Sequence, residues 1–271
     1  MTNPVLNFLA AALYVVAGAL IARRLACGHP ATRGTQIGTL SLIGGAAVLH
    51  TATLLPILQP EASLNLSLTM AFSLVAWIVV MLYVLASLYR PVDNLGVVVM
   101  PLAGLMVLLA WQWPAQHLIP VSSPWQAAHI VISLLAYSLL SLATIQSLLL
   151  LAQERELKHK HAGRFIRALP PMETTEAVMF QMISLGFVLL TLTVASGVVF
   201  SESVFGKPFQ LKHHIVLALS AWTVYGILLF GRWRLGWRGR AAIFWTLGGF
   251  MLLLLGYFGS KFVLEVLLGR G

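Results

Sequence analysis

The sequence predicts an all-α integral membrane protein, a bundle of about eight transmembrane helices with both termini outside, on the periplasmic side. Three observations carry this. The chain is 59% hydrophobic and only 9% charged, with a mean hydropathy of +0.89, whereas soluble domains carry about a quarter charged residues. Apolar runs near the ~20 residues that cross a bilayer recur at roughly 5–22, 36–55, 66–88, 95–112, 125–152, 177–200, 213–230 and 241–267. Basic residues alternate between the connections. Arg23, Arg24, Arg33, Arg90, Arg155, Lys158, Lys160, Arg164, Arg167, Arg232, Arg234, Arg238 and Arg240 fall in the odd-numbered loops. Only Lys207, Lys212, Lys261 and Arg270 fall on the other side. That pattern puts the odd loops in the cytoplasm. Residues 1–271 read as one polytopic membrane domain, with 153–176 a basic cytoplasmic loop.

The runs justify themselves in order. The first has no basic stretch before it, and Arg23 and Arg24 follow it, so it reads as a retained helix and not a cleaved signal. The single cysteine, Cys27, falls in the first loop, and no Cys-x-x-Cys-His exists for covalent haem attachment. The second run carries Gly34, Gly38, Ser41 and Gly45 three or four apart, a spacing that lets helices pack closely. The third and fourth are separated by a short loop holding Arg90. The fifth continues into QERELKHKHAGRFIRALPPMETTE, which predicts a cytoplasmic extension of the helix, a turn at Pro170-Pro171, and a sixth helix capped by Thr174 or Thr175. His159 and His161 in this loop read as a solvated face, because residues two apart do not share a helix face. The alternation expected of β-barrel strands is absent. The basic balance, +9, flanks spans and forms no nucleic-acid motif.

The same topology sorts the histidines. His29, His159 and His161 are cytoplasmic. His50 lies near the outer end of helix two, His117 in the outer fourth loop, and His129 a turn inside helix five. His213 and His214 open helix seven. Imidazoles from three helices are thus expected at roughly one level in the outer half of the bilayer. Ionisable groups at that depth are costly and usually functional; for any single one, a hydrogen-bonded core histidine is the simpler reading. Helix five adds a stripe at four-residue spacing, Trp125, His129, Ser133, Tyr137 and Ser141, suited to a flat cofactor or to an interhelix seam. Zinc would want three or four ligands, and the outer Glu61 and Glu202 show no ligand spacing. Haem needs one or two axial imidazoles, an aromatic apolar pocket and a cation for its propionates. His129 with His50, His213 or His214, the tryptophans Trp111, Trp113 and Trp125, and Lys207 or Lys212 would supply them. No Walker loop, GxSxG or HExxH is present, and buried acids are nearly absent, with Glu265 close to the end of the last helix. A catalytic residue set is therefore not expected, and the protein reads as a non-enzyme.

SPWQAAHIVISLLAYSLLSLATIQSLLLL (123–151) resembles the helix of the cytochrome c assembly family (CcsA, CcmC and HemX-like proteins) that carries an outer-face histidine. ISLGFVLLTLTVASGVVF resembles its next helix, which ends in Ser-Gly. The resemblance continues through HHIVLALSAWTVYGILLFGRWRLGWRGR and GYFGSKFVLEVLLGR, and it includes VLH at His50. The pattern is that of the YpjD-type branch. It implies a multi-pass protein of the bacterial inner membrane that binds b-type haem non-covalently near its outer face. The implied ligands are His129 with His50, His213 or His214, and the implied partners are haem, lipid, and membrane proteins of haem or cytochrome assembly. One feature departs. Family members that deliver haem to apocytochrome c carry a tryptophan-rich loop before the penultimate helix, and here that loop is SESVFGKPFQLK. The competing readings are a transporter or channel component, and a non-enzymatic scaffold or regulator.

Overall fold

A computed structural model describes residues 3–28, 32–59, 63–114, 117–121, 123–158, 169–199 and 213–262. Eight helices are long and apolar enough to cross a membrane. They are α1 (Pro4–Ala26), α2 (Arg33–Leu54), α3 (Leu68–Tyr89), α4 (Asp93–Gln112), α5 (Pro124–Lys158), α6 (Met172–Val199), α7 (His213–Leu235) and α8 (Arg240–Leu254). A π-helical turn, Leu255–Gly259, prolongs α8.

Local chemistry starts the first helices. Asn3 caps α1 by accepting from the Val5 N–H at 3.0 Å, and Pro4 supplies a fixed φ at the first turn. Thr32 caps α2 by accepting from the Thr35 N–H at 3.3 Å. Helix α6 begins a turn earlier than the sequence suggests. Thr174 and Thr175 lie inside it, and the Pro171 carbonyl accepts from the Thr175 N–H at 3.0 Å. A backbone carbonyl held by the Pro-Pro pair therefore starts this helix, not a threonine side chain. Helix α5 does extend past the apolar run, to Lys158.

The helices alternate in direction, as contacts at both ends show. At one end Arg24 of α1 pairs with Asp93 of α4, Arg232 of α7 with Glu176 of α6 at 2.8 Å, and Arg240 of α8 with Glu154 of α5 at 3.0 Å. At the other end Phe8 of α1 meets Trp111 of α4 with ring centroids 5.0 Å apart, and His129 of α5 meets Ser196 of α6. We refer to these as the arginine end and the histidine end. Helix α1 packs on α4 and α2, α5 on α6, α7 on α8, and α3 and α8 both pack on α5.

Close approach in the α1–α4 pair depends on glycine. A Cβ on Gly104 would meet the Ala11 carbonyl oxygen at 3.1 Å, and one on Gly18 would meet Pro101 at 2.9 Å. The stripe on α2 does not play this part. Gly34, Gly38, Ser41 and Gly45 are exposed, and nothing lies within 4 Å of a Cβ at any of the three glycines. A spacing of small residues marks a smooth helix face but does not say which way that face is turned.

The all-α expectation holds, with one small addition to the helices. Three short strands, β1 (Leu58–Gln59), β2 (Ser63–Asn65) and β3 (Leu118–Pro120), form an antiparallel sheet in the order β1-β2-β3 at the histidine end. Two loops that must satisfy their backbone groups near the membrane do so against each other. The Leu66 N–H bonds the His117 carbonyl at 3.0 Å. The Asn65 side-chain oxygen accepts from both the Ser67 and His117 N–H groups, at 3.2 and 3.0 Å.

Candidate functional site

His129 is half-buried against α6. Its Nδ1 lies 2.8 Å from the Ser196 hydroxyl oxygen. That hydroxyl donates its one proton to the Thr193 carbonyl at 3.0 Å, so it accepts from His129. The network therefore assigns the His129 proton to Nδ1 and the lone pair to Nε2. The ring lies against Gly197, where a Cβ would meet its Cε1 at 3.4 Å. Ser196 and Gly197 thus hold the orientation of the imidazole, and the relay to Thr193 favours the Nδ1–H tautomer. The sequence reading noticed the pair only as the end of a helix.

His50 is placed differently. It is fully buried, with Nδ1 3.3 Å from the Tyr14 hydroxyl and Nε2 3.0 Å from the Ser73 hydroxyl. Both ring nitrogens are engaged, by α1 on one side and α3 on the other. This is the simpler of the two roles open to it, a hydrogen-bonded core histidine joining three helices. Tyr14 and Ser73 gave no signal, because nothing in the sequence pairs them with position 50.

Two contacts set heights along the bundle. Tyr137 of α5 donates its hydroxyl to the Leu253 carbonyl of α8, and Ser138 donates to the Val75 carbonyl of α3 at 3.5 Å. His129 stands eight residues before Tyr137 and Lys261 eight after Leu253, so both rise about 12 Å from that contact toward the histidine end. Ser67, eight before Val75, reaches the same height. Ser73 stands only two residues before Val75, so His50, bonded to it, lies about 10 Å deeper than His129. The histidines do not share one level, and axial ligands must lie across a single iron atom. His50 is not opposite His129.

His213 is exposed and His214 half-buried at the start of α7, their ring centroids 5.7 Å apart at 87°. The His214 carbonyl abuts Gly256, just past Leu253, which puts this pair between the heights of His50 and His129. Among the described residues no group of three or more His, Cys, Asp or Glu could hold a metal ion. Lys212, Lys207 and Glu202 lie outside the described residues.

The stripe on α5 is split by helix geometry. Eight residues turn about 80° beyond two full rotations at 100° per residue, so His129 faces α6 while Tyr137 reaches α8. Tyr137 and Ser141 line a cavity of ≈ 150 Å³ with Phe72, Val75, Phe250 and Phe258. Trp113 and Trp125 are 61% and 57% exposed, and Trp111 is half-buried on Phe8. They stand at the histidine end, where indole rings suit a membrane boundary.

Comparison with known proteins settles the family. The profile described as "Cytochrome C assembly protein" matches residues 40–268. The chain belongs to the cytochrome c assembly protein family. The chain is 31% identical to "Inner membrane protein YpjD" of Escherichia coli K12, over 97% of this chain and 99% of that one. It is 28% identical to "Protein HemX" of Brevibacillus brevis over 48% of each chain. It is also 28% identical to "Cytochrome c biogenesis protein CcsA" of Chlamydomonas reinhardtii, over 58% of this chain and 44% of that one. Within this family of membrane proteins, this chain carries His129, hydrogen-bonded to Ser196, near the end of the bundle.

Proposed function

We propose that this protein is a non-enzymatic, multi-pass protein of the bacterial inner membrane that holds or hands on b-type haem at its histidine end. The observation that carries the reading is the His129–Ser196–Thr193 relay. An imidazole that ligates iron must present a lone pair, and a hydrogen bond at the other nitrogen is what fixes that tautomer. His213 and His214, nearer in height to His129 than His50 is, would be the candidates for a second imidazole. His50 serves the fold. Bound haem would supply an iron centre able to cycle between Fe(II) and Fe(III). The residues around it hold the ring in place and set which nitrogen faces the metal.

Optical spectra of the detergent-purified protein, oxidised and dithionite-reduced, test the reading. A sharp Soret band with resolved α and β bands on reduction is expected, as for low-spin haem with two imidazole ligands. A colourless protein that stays colourless after haem is added back rejects it, and transport or scaffold roles then take its place.

We further propose that the histidine end faces the periplasm. Ten basic residues of the described chain, Arg23, Arg24, Arg33, Arg90, Arg155, Lys158, Arg232, Arg234, Arg238 and Arg240, gather at the opposite end. Basic residues favour the cytoplasmic side. Cys27 is exposed beside them and is the chain's single thiol. A membrane-impermeant maleimide should label it in inverted vesicles and spare it in intact spheroplasts. The reverse labelling would invert the topology.

A further inference from the structure

We propose that the groove between α6 and α7 at the arginine end holds an anionic phospholipid of the bilayer, its phosphate on Arg232 and an acyl chain along α6. The groove is open-sided, with a volume of ≈ 550 Å³, and runs along α6 from Arg232 past Phe180, Gln181, Ser184, Leu185 and Val188. Gln181, Ser184, Leu185 and Val188 are three or four apart, so they share one face of the helix. All four are exposed, because α6 packs on α5 and α7 with its other sides. The outward face of a membrane-spanning helix meets lipid, and the groove gives one lipid a place to settle.

Arg232 has donors to spare for its headgroup. Its Nη1 donates to the Glu176 carboxylate at 2.8 Å and to the Trp237 carbonyl at 3.2 Å. Its Nε and Nη2 make no hydrogen bond among the described residues, and the side chain, 28% exposed, lines the groove. Those two nitrogens form one edge of the guanidinium, the edge that grips a phosphate through two parallel bonds. Phe180 lies against the guanidinium face, its ring centroid 4.5 Å from Cζ, which holds the plane and leaves the edge free.

Charge selects an anionic lipid. Glu176 offsets one cation at this corner, and its second oxygen accepts from the Gly239 N–H at 3.3 Å. Arg234 at the end of α7 and Arg238 just after it are exposed and have no carboxylate partner among the described residues. The surplus is positive, and basic residues at a membrane surface attract anionic lipid.

Gln181 is the independent observation. Its amide is exposed on the groove and makes no hydrogen bond among the described residues. An amide facing hydrocarbon is costly unless something bonds it. Gln181 stands five residues from Glu176 toward the histidine end, about 7–8 Å along the axis, with Leu185 and Val188 about 14 and 18 Å along it. Guanidinium, amide and apolar side chains therefore follow one another in the order of phosphate, ester carbonyl and acyl chain.

The test is native mass spectrometry of the full-length protein in detergent, with phosphatidylglycerol and phosphatidylcholine of identical acyl chains supplied in equal amounts. One phosphatidylglycerol is expected to be retained about 10-fold or more in preference, as a charge-assisted hydrogen-bonded pair predicts. Arg232→Gln should erase the preference. Because it also deprives Glu176 of a partner, Gln181→Leu is the second variant, expected to weaken retention several-fold at an unchanged melting temperature. Arg90→Gln, which removes another exposed arginine at this end, should change nothing. Equal retention of the two lipids by the wild type overturns the proposal, as does retention that survives both Arg232→Gln and Gln181→Leu. A loss in Arg90→Gln as large as that in Arg232→Gln would assign the attraction to diffuse charge and overturn it too. Displacement of the lipid by excess inorganic phosphate would leave an anion site without an acyl groove, and the lipid assignment would fall.

Discussion

Replacing His129 by alanine is expected to lower the haem content of the purified protein about tenfold or more and to abolish the low-spin spectrum. The magnitude follows from what the ring does. Partners that merely orient a ligating histidine are worth about 10- to 100-fold in metal affinity, and removing the ligand itself costs at least as much. Ser196→Ala is the graded companion. It takes away the acceptor for Nδ1 and lets the proton move to Nε2, so binding weakens without disappearing. His50→Gln should behave in the opposite way. Haem binding per folded molecule holds, while stability falls because Tyr14 and Ser73 lose a partner. Full haem content and an unchanged spectrum in His129→Ala would remove this histidine from the ligand set.

The second large effect is on the fold. Gly104→Val should destabilise the protein by about 2–3 kcal/mol, the upper part of the range for overpacking, and lower its melting temperature in detergent. The new Cβ would sit 3.1 Å from the Ala11 carbonyl oxygen. Backbone cannot move aside as a side chain can, so α1 and α4 must separate along a seam that includes Ala10, Ala103 and Val107, all buried. Gly45→Val on α2 is the control, because open space surrounds that glycine. Equal melting temperatures for the two variants would contradict the α1–α4 packing.

The spans were legible because a bilayer imposes length and apolarity on each helix separately, so they can be read one at a time. That the basic residues gather at one end was legible for the same reason, since each loop carries its own charge. The site was only partly legible. His129 and the His213–His214 pair could be placed near one end of the bundle by counting along their helices. That His50 lies deeper could not be read, because it depends on how far α5 projects beyond α3, and only the Ser138–Val75 contact shows that. The direction of the α2 glycine stripe was hidden too, since α2 is apolar on several faces and lipid accepts any of them. Ser196 and Lys261 meet partners 67 or more positions away.

The π-helical turn at Leu255–Gly259 bears on ancestry. Such a turn is what an α-helix becomes when it absorbs one extra residue without breaking. Each residue of an α-helix advances about 100°, so everything beyond the insertion is rotated by about that much. Lys261 lies just beyond it. In a lineage without the extra residue, a lysine at the same count from α8's start would face another direction and could not meet Leu66. A relative one residue shorter in this helix would therefore carry its lysine on another face of α8.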